Sequence, residues 1–115
     1  MRPGDTTQLS LVLPELVAPD YSPELTLSER FALFHEQNPH VAHALEVLAG
    51  QWLARNDRAS IAALFERLRW ESGIATEGDA YRLNNSYRAF YVRLLIERRP
   101  EWANKFEVRV QKAAA

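Results

Sequence analysis

The densest group of side chains able to do recognition chemistry in this 115-residue chain is Arg82-Leu-Asn84-Asn85-Ser86-Tyr87-Arg88, with Arg93 a little further on. An asparagine amide can bond two edge atoms of an adenine at once, and an arginine does the same for guanine. A serine hydroxyl and the unpaired backbone N–H groups of a helix start suit a phosphate oxygen. Tyr81 and Tyr87 add rings that can stack or donate to phosphate. Together these residues point to a contact with double-stranded DNA made by Arg82, Asn84, Asn85, Ser86, Arg88 and Arg93. Each phosphate neutralised there adds about 0.9 to the log–log salt slope of binding. The same residues also have a plain structural use. Asparagine and serine are the commonest helix caps. Arg88 and Arg93 can pair with Glu97 or with the acidic front of the chain, and Tyr87 and Tyr91 suit a core with their hydroxyls turned outward.

Other chemistries find less support. His35, Glu36, His40 and His43 lie close together, but a zincin helix needs H-E-x-x-H with both histidines on one helical face. Here the spacing is one residue longer, and Pro39 interrupts the helix between His35 and His40. The four glycines are scattered, so no phosphate-cradling loop forms, and the absence of cysteine excludes disulfides and thiolate zinc sites. No nucleophile, base and orienting group stand out as a set. A non-catalytic chain with no metal and no cofactor is therefore expected.

The elements that must position the DNA-facing group follow from punctuation and periodicity. Pro3, Pro14, Pro19 and Pro23 make residues 1–26 an extended arm, in which Leu9 to Leu13 alternates weakly and suits strand exchange in a homodimer, or docking on another protein. Residues 27–112 form the folded domain. Thr26 and Glu29 have capping-box spacing and open a helix over 27–37, with Leu27, Phe31 and Phe34 on one face. Asn38-Pro39 reads as an N-cap and first helical residue of a helix reaching about residue 55, striped by Val41, Ala44, Leu45, Leu48 and Trp52. Ser60 caps a third helix to residue 72, with Ile61, Leu64, Phe65 and Leu68 inward; its Glu66, Arg67, Arg69 and Glu71 take the wet sides. Residues 74–82 are a loop. A fourth helix runs over 84–98 and, being apolar on most sides, belongs in the centre of the fold. Trp52, Trp70 and Trp102 read as core or core-rim residues. Pro100 to Trp102 is a turn or short helical piece, and Phe106 to Val110 alternates as one half-buried strand.

The order of helix, turn, helix, loop, helix and strand is that of a mainly α, winged helix-turn-helix-like domain with one short C-terminal strand or hairpin. The 84–98 helix would enter the major groove by its amino end. Composition is compatible with this and with much else: 47% hydrophobic, 25% charged and a net charge of −1 describe an ordinary globular protein. The charge is unevenly placed, with two basic and seven acidic residues over 1–50 but twelve basic and eight acidic over 51–115. That is the pattern of an acidic cap beside a polyanion-binding half, or of a salt-bridged helical surface. No apolar run approaches a membrane span, and the lack of cysteine fits the cytoplasm.

The strings Asn38-Pro-His-Val41, Ser60-Ile-Ala-Ala-Leu-Phe-Glu-Arg-Leu-Arg-Trp-Glu71 and Tyr81-Arg-Leu-Asn-Asn-Ser-Tyr-Arg-Ala-Phe-Tyr91 resemble a family of small proteins of bacteriophages and prophages, over about residues 30–110. The resemblance implies a bacterial host cytoplasm and an accessory or regulatory role. It assigns no catalytic residue and no DNA contact. Two functions are expected: a winged-helix-like DNA-binding accessory protein, or a protein-interaction module whose extended arm and exposed aromatics dock on a host or phage protein.

Overall fold

The computed structural model describes Leu16, residues 23–72 and residues 84–107. The remainder of the arm, the 74–82 loop with Tyr81 and Arg82, and Val108 to Val110 of the expected strand lie outside the described residues. The protein is mainly helical. Helix α1 spans Leu27–Gln37, α2 Pro39–Leu53, α3 Ile61–Ser72 and α4 Arg88–Arg98; short 3-10 turns cover Asn85–Tyr87 and Pro100–Trp102.

Each helix starts for a local reason. At α1 the capping box is complete: the Glu29 N–H donates to Thr26 Oγ1 at 3.1 Å, and the Thr26 N–H donates to a Glu29 carboxylate oxygen at 2.8 Å. At α3 the Ser60 hydroxyl accepts from the Ala63 N–H at 3.2 Å. Asn38 works differently from the expected N-cap. Its side chain makes no capping bond to α2 and instead donates backward, Nδ2 to the Phe34 carbonyl at 3.0 Å. It is fully buried, so its amide closes the carboxyl end of α1 while Pro39 opens α2.

The centre of the fold is α2, not the fourth helix. It buries Val41, Ala42, Ala44, Leu45, Leu48 and Ala49 and packs against α1, α3 and α4. Its alanines explain this: small side chains spread over a wide arc let neighbouring helices approach on several sides. Phe65 and Leu68 of α3 and Tyr91 and Leu95 of α4 complete the core, and Leu16 joins it. Helix α4 buries only Tyr91 and Leu95, while Phe90, Val92, Leu94 and Ile96 stay half-buried. Its apolar residues therefore cover the outer flanks of the body rather than its middle.

The tryptophans divide. Trp102 is buried and packs edge-on against Phe106. Trp52 lies one turn past the packed part of α2 and is half exposed; its indole N–H donates to the Arg58 carbonyl at 2.7 Å and so ties down the 54–58 turn. Trp70 is 85% exposed. The core assignment thus fails for Trp70 and Trp52.

No strand occurs among the described residues. Phe106 makes an isolated parallel bridge with Ala59: the Ala59 N–H donates to the Lys105 carbonyl at 2.7 Å, and the Glu107 N–H donates to the Ala59 carbonyl at 2.9 Å. The bridge clamps residues 105–107 onto the segment that precedes α3.

Candidate functional site

The amino end of α4 begins later than its caps suggest. Asn84 is the N-cap of the 3-10 turn, not of the α-helix, and its Oδ1 accepts from the Ser86 N–H at 2.9 Å and from the Ser86 hydroxyl at 2.6 Å. Asn85 Oδ1 accepts from the Arg69 guanidinium at 2.5 Å, across from α3. Tyr87 is buried against Phe31 and Phe34, which removes it from any phosphate or base. Arg88 is half-buried, and its Nε has no hydrogen-bond partner among the described residues. Arg93 is exposed, with its guanidinium 4.9 Å above the Phe90 ring.

Five of the six expected contact residues can therefore be placed, and Arg82 lies outside the described residues. Asn84, Asn85 and Ser86 are exposed on one turn. Arg93 is set apart from them, a turn and a half along α4, where it faces the Phe90 side. The oxygens of both asparagines are already used within the protein.

Several of the described arginines are engaged in ion pairs. Arg69 pairs with Glu66 at 2.7 Å and Arg67 with Glu71 at 2.8 Å, both along α3. Arg98 and Arg99, at the far end of α4, reach Glu46 on α2 at 3.4 and 3.0 Å. These pairs link the basic second half of the chain to its acidic first half. Among the described residues ten basic side chains meet ten acidic ones. Such exposed pairs are worth little stability each, and the even count of charges over the described residues offers a polyanion no net attraction there.

What sequence reasoning missed is next to Arg69. Trp70 stands on the last turn of α3 with its indole outward, and Glu66 and Arg67, one turn behind it, are each held in an ion pair. The signal was present in the helical register. Ile61, Leu64, Phe65 and Leu68 define the inward stripe, and position 70 falls off it. Aromatic identity outweighed register in assigning it to the core.

On the opposite flank, α1 meets α4 through an aromatic cluster. Phe31 stacks on Phe90 at 5.1 Å between centroids and meets Tyr91 edge-on at 4.8 Å. His35 stacks on Phe31 and lies edge-on to Tyr91. Burial, and then the charge of Arg98, hold its imidazole below the ordinary histidine range. Burial alone does the same to His40. Among the described residues no three histidine, aspartate or glutamate side chains gather as a metal ion would require, and no helix is long and apolar enough to cross a membrane.

No protein-family model, no curated protein and no solved structure matches this chain.

Proposed function

We propose that the chain is a non-catalytic protein-binding module that uses Trp70 as its anchor. The observation that carries this reading is the 85% exposure of that indole on a helix whose neighbouring charges are already paired to one another. Leaving a tryptophan in water forgoes the favourable burial of a side chain that covers roughly 150–250 Å². A partner that covers it recovers that energy at small entropic cost, because the indole is mounted on secondary structure. Interface hot spots are enriched in tryptophan and arginine and are surrounded by groups that exclude water. Trp70 with the half-exposed Arg67 has that composition.

A photo-crosslinking aromatic amino acid placed at position 70 tests the idea in cells. A discrete adduct is expected there and not from the same reagent at exposed Ala32 on α1. With the captured protein purified, Trp70→Ala should weaken binding by about thirtyfold or more, the loss of a hot spot of about 2 kcal/mol, without lowering the melting temperature. Equal adducts at both positions, or unchanged affinity, would refute it.

The exposed Asn84–Ser86 turn favours a second reading, in which the chain is a winged-helix-like DNA-binding accessory protein. Fluorescence anisotropy with mixed-sequence duplex at low salt separates the two. DNA recognition requires binding that falls steeply with salt and weakens on replacing Arg82, Arg88 and Arg93 by alanine. The balanced charge of the described residues leads us to expect neither.

A further inference from the structure

The α1–α4 flank carries a feature independent of Trp70. Phe31, Phe90, Arg93, Leu94, Ile96 and Glu97 line an open groove of about 460 Å³. Its apolar residues are only half-buried. Leu27, one helical turn before Phe31, extends the apolar surface along α1 and is 43% exposed. Arg93 and Glu97 are both exposed at the groove, and no ion pair joins either of them to another described residue. This contrasts with α3, where Glu66, Arg67, Arg69 and Glu71 are all paired.

The order of these two charges selects an occupant. They lie one turn apart on the same side of α4, basic toward the amino end and acidic toward the carboxyl end. When two such helices run antiparallel about a two-fold axis near residue 95, each Arg93 falls opposite the other copy's Glu97. A single geometry then satisfies four charges, and the apolar lining of both copies is covered at once. Isologous interfaces have this property: one patch is its own complement, and every contact occurs twice.

We infer that this face pairs with the same face of a second copy of the chain, α4 against α4 in antiparallel register. The groove is lined by six residues per copy, few beside the roughly 20–30 a side of a standard stable interface, so the dimer forms and dissociates with concentration rather than persisting on dilution.

Sedimentation equilibrium of the full chain, from micromolar to millimolar, tests this through charge reversal. R93E leaves both groove positions acidic, and E97R leaves both basic. Each variant alone should dimerise at least about tenfold more weakly than the parent, because like charges face one another at two equivalent contacts. An equimolar mixture of the two should associate about as well as the parent, since every facing pair is again opposite in sign. That recovery also demonstrates that both variants are folded, with circular dichroism as a second check. A parent that stays monomeric throughout overturns the inference. So does a dimer indifferent to both reversals, or a mixture that fails to recover.

Discussion

Asn38 shows how a residue can occupy a familiar position and do an unfamiliar job. At an ordinary N-cap the side chain accepts a hydrogen bond, so aspartate serves as well as asparagine and gains from the helix dipole. Asn38 instead donates to the Phe34 carbonyl from a site with no solvent exposure. A carboxylate there would lose the donor, face a carbonyl oxygen and be stripped of water. Asn38→Asp should therefore destabilise the fold by about 3 kcal/mol, read from denaturant unfolding, where a conventional cap would show no loss. Sequence could not separate these cases, because the motif Asn-Pro is the same in both. What decides is whether α1 ends close enough to lend its carbonyl, and that depends on how α1 and α2 pack.

Among the elements, α2 holds the fold together because its small residues admit neighbours. Gly50 belongs to that set but is not required by close approach: a Cβ built there would lie 3.8 Å from Trp102, an ordinary van der Waals distance. Glycine inside a helix costs about 1 kcal/mol relative to alanine. Gly50→Ala should therefore stabilise the protein by roughly 0.5–1 kcal/mol, visible as a higher unfolding midpoint; a loss instead would mean that Trp102 cannot yield. The helices themselves were legible from caps and from apolar periodicity: α1 matches its expected bounds, α2 ends two residues early and α3 begins just after its Ser60 cap. Their ranking was not. Helix α4 reads as apolar on most sides, yet its outer residues serve the flanks. Periodicity says which face of a helix is buried and not how many neighbours bury it.

At the scale of the whole molecule, protons couple to folding through the α1 histidine. His35 sits in the aromatic cluster with its imidazole held below the ordinary value near 6.5 by burial and by Arg98. The unfolded chain then binds a proton that the folded chain resists, so this contribution is present above pH about 6.5 and is lost as pH falls below it. Urea midpoints should decline between about pH 7 and pH 5, and His35→Phe should flatten that decline; an unchanged slope would place the acid sensitivity elsewhere. His40 shifts the same way and accounts for part of what remains. The sequence by itself determined the helices, the Thr26 and Ser60 caps and the inward stripes, because each is written within a few neighbouring residues. It also displayed the uneven charge. Only the tertiary structure decided that much of this charge is spent internally, with Arg98 and Arg99 closing on Glu46 more than fifty residues away. The same holds for Asn85, whose oxygen is taken by Arg69, and for Trp70, left outside while Trp102 went in. These outcomes turn on which surfaces meet, and contacts between distant residues leave no spacing in the chain by which to read them.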